Sequence, residues 1–459
     1  MPELVLSKVA RKRPFALPCL TLNLPSIEPA EEIPVKLFGT RLIVALLCLA
    51  AASLNAQTSD REAQWRQDLQ FFADHMGAPG HSVDLKYGII TRGQKDFAKL
   101  YPPASFNATL ASLRDDLPRL SDDEITLRLM RLVASANVAH NTVSAPGEGF
   151  AARLPLGFTW YSDGLAVTSA APEYANALGA RVVKMGGETP EQLLPQLAPY
   201  IAHENEVRLR YTAASFLRIK AVLQHFELPG PDGRLALTLQ KPGQEPFAIT
   251  VAFAGPQTKQ VGVSEALHLP TPLFASHPGA SYWYQYLTDT QALYIQYNRC
   301  ENDPRQPFAE FARQALAEAD AHPIKRVVID LRWNGGGNSR IVGPLKSGLA
   351  QRAKSVGRVY VLIGPRTFSS ALDNALELHK DLHATLVGEA TGGSPSGYGE
   401  AMQFVLPNSQ LTVQYTTKFF GQKDAAPSSL QPQIPAPRTL ADVLTGRDPA
   451  LEAALGAQD

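Results

Sequence analysis

Two short stretches of this 459-residue chain combine residue types that can do chemistry. The first is Asp330-Leu331-Arg332-Trp333-Asn334-Gly335-Gly336-Gly337-Asn338, directly after the apolar run VVID. Three consecutive glycines let the backbone turn tightly and leave N–H groups bare, which suits a developing oxyanion. Bare amides also suit phosphate, but this loop has neither the GxxxxGK[ST] nor the GxGxxG spacing. The second stretch is Gly364-Pro365-Arg366-Thr367-Phe368-Ser369-Ser370-Ala371, between the apolar run VYVLI and a helical pattern starting near Ala371. A serine at a strand-to-helix corner projects its hydroxyl, and the helix N-terminus favours negative charge nearby, so Ser369 occupies a nucleophile's position. Serine also leads at plain helix N-caps, so neither loop decides the matter alone.

The surrounding pattern says what must position these loops. From Trp283 onward QALYIQYN, KRVVIDLRW and GRVYVLIGP read as strands and PFAEFARQALAEADA as a helix, the alternation of βαβ units around a largely parallel sheet. Sites in such sheets gather at the loops after the strand C-termini, where both stretches fall. Upstream, WRQDLQFFADHM and DDEITLRLMRLVASANVAH carry apolar residues at helical spacing, and Ser121 with Glu124 forms a capping box. The second helix is expected to run to His140. Between them LGFTWYSDGLAVTSA, ARVVKMGG and LALTLQKPGQEPFAITVAF alternate as strands and hairpins, with a helix near PEQLLPQLAPYI. That layout resembles a PDZ-like module, whose groove binds an extended peptide as an added strand. The expected organisation is a leader and signal peptide over 1–56, a helical domain over 57–150, a PDZ-like domain over 151–260, a linker over 261–280 and an α/β core over 281–459.

Taken in order, VVIDLRWNGGGN, GPRTFSSA and LVGEATGGSPSGYGEAMQFVLPNS resemble the core of the tail-specific (C-terminal processing) and tricorn-like serine peptidases, a core shared with the interphotoreceptor retinoid-binding proteins. The resemblance runs from Trp283 to Pro437 and, in layout, over the upstream regions. It implies a crotonase/ClpP-like α/β core and peptide hydrolysis, with Ser369 as nucleophile and oxyanion donors from Gly336 or Gly337 and the Ser370 amide. It implies no metal or organic cofactor. The general base divides that family. Tail-specific members use a lysine 25 positions after the serine, where this chain has Ser394. Tricorn-like members use a histidine in a DxHT stretch, matched here by Val138-Ala139-His140-Asn141-Thr142, so His140 is the implied base. The family's later supporting glutamate has no clear counterpart, and Asp424 is the only carboxylate in that region. His379 and His383 lie toward the far end of the helix after Ser369, out of reach of its head. Tyr398 and Lys418 could line the cleft, or merely border the sheet.

Composition narrows the rest. Lysine plus arginine equals aspartate plus glutamate at 43 each, which gives no reason to expect nucleic acid, and the implied partner is an extended polypeptide. Cys19, Cys48 and Cys300 are the only cysteines, and neither CxxC nor HExxH occurs, so metal sites of those kinds are not expected. Lys36 and Arg41 ahead of the apolar run from Leu42 to Ala52, then small residues to Ala56, read as a secretory signal over about 35–56, with Val35 as a plausible true start. An exported, periplasmic or extracellular protein with no integral span after signal removal follows, the competing reading being a single membrane anchor. Oligomeric state is open. Two further classes stay open: a peptide-binding relative without activity, and a small-ester or acyl-CoA enzyme on the same core.

Overall fold

The computed structural model describes residues 60–76, 98–421 and 428–457. The expected signal over 35–56 and Asp424 lie outside them.

Helices come first among the described residues. Helix α1 (60–76) buries Trp65, Leu69, Phe72 and Met76, an alternating four-and-three spacing that places one apolar stripe on one side. Helix α2 (Pro103–Asp116) and helix α3 (Asp122–Ala134) pack beside it, and α3 starts at the expected capping box. The Ser121 hydroxyl accepts the Glu124 N–H while the Glu124 carboxylate accepts the Ser121 N–H. The end of α3 departs from expectation. It stops at Ala134 because Asn137 enters the left-handed region at φ 51°, and the Asn137 N–H closes the last turn onto the Ala134 carbonyl. His140 therefore sits on a loop six residues beyond the helix, not at its end.

Strand β1 (Thr142–Ser144) follows that loop. Next comes an antiparallel sheet built from β2 (Leu156–Tyr161), β3 (Gly164–Ala170), β4 (Arg181–Met185), β5 (Leu235–Gln240) and β6 (Phe247–Val251), in that order, with β7 (Val261–Gly262) added to β3. Strand β2 is an edge. Helices α4 (Pro190–Leu197), α5 (Glu206–Phe216) and α6 (Lys220–His225) lie between β4 and β5 in the chain, and α5 packs along β2. Apolar residues of these strands and of the N-terminal helices form one continuous core.

The remaining strands are β8 (Tyr282–Leu287), β9 (Ala292–Tyr297), β10 (Arg326–Asp330), β11 (Arg358–Ile363), β12 (Thr385–Gly388), β13 (Gly397–Val405), β14 (Thr412–Phe420) and β15 (Ile434–Pro435). Six of them make one sheet in the order β15-β12-β11-β10-β9-β8, parallel except for the edge strand β8. Both faces are covered, which is why β9 to β11 are near-continuous apolar runs. Alternate residues such as Ile295, Ile329 and Val361 meet helices α7 (Phe308–Ala321), α8 (Gly343–Gln351) and α9 (Ser370–Leu382). Their neighbours Tyr294, Val328 and Leu362 face α11 (Pro449–Gly456), which follows α10 (Leu440–Thr445). The mixed α/β architecture expected from the sequence is thus observed.

The β13–β14 hairpin leaves this sheet. It pairs with β1 and lends Leu406, Leu411 and Val413 to the core of the N-terminal helices. Asp68 of α1, fully buried, accepts the N–H groups of Asn408 and Ser409 at 2.9 and 2.7 Å and so ties the turn of the hairpin to α1.

Candidate active site

Ser369 stands at the junction of β11 and α9, on the side of the sheet where the strands end. Its backbone takes φ 54° and ψ −132°, a conformation that L-residues rarely adopt and that persists only where the surroundings enforce it. The enforcement is visible. Thr367, fully buried, donates its hydroxyl to the Leu331 carbonyl at 2.9 Å, and the Phe368 N–H donates to the Asn334 carbonyl at 3.2 Å. These bonds lock the serine loop onto the glycine loop. Ser369 stays partly exposed, and its hydroxyl has no acceptor among the described residues.

Asn334 organises the glycine loop from a fully buried position. Its amide donates to the Tyr297 carbonyl, and its Oδ1 accepts the Gly336 N–H, both at 2.9 Å. The Gly336 amide is therefore committed inside the loop. Gly336 contributes through its missing side chain instead: at φ 106°, a Cβ there would lie 2.8 Å from the Ser369 Cβ and 3.1 Å from the Ser370 nitrogen. Gly337 is different. It bridges Cys300 in parallel fashion, using the Gly336 carbonyl and the Asn338 N–H, which leaves its own N–H and C=O pointing away from Cys300. The Gly337 carbonyl accepts the Ser370 hydroxyl at 2.6 Å. The Gly337 N–H has no partner among the described residues. The Ser370 N–H, first in α9, has no intrahelical acceptor by construction. Of the amides named from the sequence, Gly337 and Ser370 are brought together free, and Gly336 is not.

His140 lies against the serine loop. Its ring packs against that of Phe368, the residue before the serine, with centroids 4.4 Å apart. No hydrogen bond joins either ring nitrogen to the Ser369 hydroxyl, and what places the histidine by the serine loop is its contact with Phe368. The loop carrying His140 is held by residues from distant segments. The Gln414 amide donates to the His140 carbonyl at 2.6 Å, Thr416 donates to Asn141 at 3.0 Å, and the Asn141 amide donates to the Tyr101 hydroxyl at 2.9 Å. Burial and the positive charge of Arg208 push the imidazole down to about 4, against a smaller opposite influence of the Tyr398 main chain. The ring is therefore neutral at pH 7, the form able to accept a proton.

Two residues at this corner were not singled out from the sequence. Glu204 is half-buried and accepts the Ala139 N–H at 3.4 Å, immediately before His140, and loss of water around its carboxyl raises it to about 7. Arg208 of α5 lays its guanidinium over Phe368 at 4.2 Å. Phe368 thus touches both the Arg208 cation and the imidazole. No local pattern announces Glu204 or Arg208: both belong to α5 and the turn before it, a segment far from either loop in sequence. Ser394, standing where a lysine base would be, donates to the Ser396 carbonyl at 2.8 Å. His379 bonds the Ala384 carbonyl at the far end of α9, away from the serine.

A cleft of about 890 Å3 opens between the β2–α5 groove and the sheet, lined by Phe158 to Ser162, Tyr211, Trp333, Arg366, Glu389 and Arg438 among others. It reaches Arg366, three residues before the serine, and stops short of Ser369 itself.

No family model matches the chain, and no curated protein matches it either. Solved structures do. Mature CPAF complexed with lactacystin aligns with a TM-score of 0.60 at 15% identity, over 84% of this chain and 96% of that one. The chain has the CPAF fold. Mature CPAF in a second structure gives a TM-score of 0.56 at 13% identity, over 84% and 95% of the two chains. With so few identical residues, likeness to CPAF extends to the arrangement of elements, and the part each residue plays must be argued from its own surroundings.

Proposed function

We propose that this protein is a serine peptidase acting on extended polypeptides by acyl transfer. Ser369 Oγ attacks the carbonyl carbon of a peptide bond, and His140 takes the hydroxyl proton. The oxyanion is held by the Gly337 and Ser370 N–H groups. The same imidazole, now protonated, gives its proton to the leaving amine, and water repeats the sequence on the acyl-enzyme. The observation that carries this reading is the left-handed serine at the head of α9 with two unpartnered amides beside it. A helix cap does not need the strained φ, and Ser369 makes no cap hydrogen bond.

The CPAF fold and the three-motif order support a peptidase over an acyl-CoA enzyme. The neutral, buried imidazole against Phe368 supports His140 as base in preference to Ser394, whose hydroxyl is already bonded. For Glu204 the role is positioning: through the Ala139 N–H it fixes the main chain entering His140. The substrate is proposed to lie along the exposed edge of β2 beside α5, as an added strand in a PDZ-like groove, with its scissile bond directed to Ser369. Export through the 35–56 segment belongs to the same proposal, and no helix of the described residues is long and apolar enough to cross a membrane.

Hydrolysis of reduced, unfolded casein by the purified protein tests the reading. Product peptides should form with the wild type and vanish with Ser369→Ala, while His140→Ala should cut the rate at least 100-fold. Equal hydrolysis by wild type and Ser369→Ala would overturn it, and so would no hydrolysis by either.

A further inference from the structure

Two mostly buried arginines flank the active-site loops, and the chain treats them in opposite ways. Arg332, in the glycine loop, is gripped by two carboxylates: Asp330 at 2.6 Å on one terminal nitrogen, and Asp448 at 2.6 and 2.8 Å across both. The side chain of Arg208, on α5, makes no hydrogen bond and no ion pair among the described residues, and its Nε is sealed from water without a partner. Glu204 is the acid whose charge acts on it, but that carboxyl is engaged by the Ala139 N–H and is not within ion-pair distance. Arg366 lies near enough to add a second positive charge instead. Arg366 is itself exposed at the end of the cleft, with no carboxylate partner among the described residues.

An unpaired buried cation is costly, and burial is ordinarily offset by a carboxylate or by displacement of the charge to water. Here neither has happened. The guanidinium instead rests over the Phe368 ring at 4.2 Å, and a Cβ on Gly392 would meet its Cδ at 3.6 Å, so it is held between the serine loop and the 388–393 turn. Its two terminal nitrogens make no hydrogen bond among the described residues, and the residue is half-buried, so those donors remain uncommitted. An arginine fork with free donors matches a planar carboxylate.

We infer that Arg208 forms a carboxylate-binding subsite beside the serine loop, so that the preferred substrates are polypeptides carrying an acidic side chain or a terminal carboxylate next to the bond cut. This deepens the peptidase reading and rests on it for the word substrate, though binding can be measured without hydrolysis. Arg208 is a specificity residue in this account: it touches the ligand and takes no part in bond making.

The test uses the full chain carrying Ser369→Ala, titrated with three peptides: acetyl-Ala-Ala-Glu-Ala-Ala-amide, its Gln counterpart, and acetyl-penta-alanine with a free carboxylate. At least one acidic peptide should bind tenfold or more tightly than the Gln amide, and which one does identifies the source of the carboxylate. Arg208→Met should abolish the difference and Arg208→Lys should restore part of it. Because a buried unpaired charge is removed, the melting temperature of Arg208→Met should hold or rise, which separates lost recognition from lost folding. Equal binding of all three peptides, no binding of any, or an acid preference that survives Arg208→Met would overturn the subsite. Acid-selective binding by a protein whose wild type hydrolyses nothing would leave the subsite standing and remove the peptidase reading alone.

Discussion

Glu204 and His140 should make opposite and nearly equal contributions to stability between pH 4 and 7, and replacing one should expose the other. Burial raises the Glu204 carboxyl from 4.5 to about 7, so the folded chain holds that proton more tightly than the unfolded chain does. Its contribution is fully present below pH 4.5 and is lost as pH rises through 7. Burial and Arg208 lower His140 from 6.5 to about 4, so its contribution is fully present above pH 6.5 and is lost as pH falls toward 4. At ~1.4 kcal/mol per pH unit each displacement is worth up to about 3 kcal/mol, with opposite sign. Urea unfolding of the wild type and of Glu204→Gln, measured every half unit from pH 4 to 8, isolates one of them. Gln copies the protonated carboxyl and can still accept the Ala139 N–H. The stability of Glu204→Gln relative to wild type should therefore climb by about 3 kcal/mol across pH 4.5 to 7 and then level off. A difference that stays flat, or that falls with pH, would refute the burial argument for this carboxyl and the positioning role built on it.

The acid limb of kcat/KM reports the free enzyme's base, so activity should persist down to about pH 4 to 5 instead of halving near 6.5, and a limb at 6.5 would place His140 in water. Gly336→Ala puts a methyl group against Ser369 at a strained φ, and should lower kcat by about 100-fold or more while costing about 1–3 kcal/mol in urea unfolding. Arg332→Met leaves the buried pair Asp330 and Asp448 without their shared cation and should cost about 3–5 kcal/mol, in contrast to Arg208→Met; similar losses in both variants would contradict the difference drawn between the two arginines.

How far the sequence could be read depended on how local each cause was. The strands β9, β10 and β11 and helix α7 follow from apolar runs and 3.6-residue spacing, and the corner at Ser369 from a serine between the two patterns. The end of α3 was not legible, since one left-handed asparagine stopped a helix whose apolar spacing continued. The commitment of the Gly336 amide to Asn334 needed coordinates, because three adjacent glycines look alike and only the Cys300 bridge distinguishes them. The β13–β14 hairpin carries alternating residues but leaves the sheet next to it in sequence for β1 and α1, a choice made by Asp68 more than 300 residues away. Glu204 and Arg208 were invisible for the same reason: what marks them is burial without an ion-pair partner, and burial is a property of the folded chain.

The central claim is that Ser369 is an activated nucleophile, and a fluorophosphonate probe followed by mass spectrometry of the digested adduct measures that directly. The account predicts one adduct, on the peptide containing Ser369, that is absent in Ser369→Ala and forms at least 100-fold more slowly in His140→Ala. No adduct on the wild type, or an adduct that maps elsewhere and survives Ser369→Ala, would contradict it.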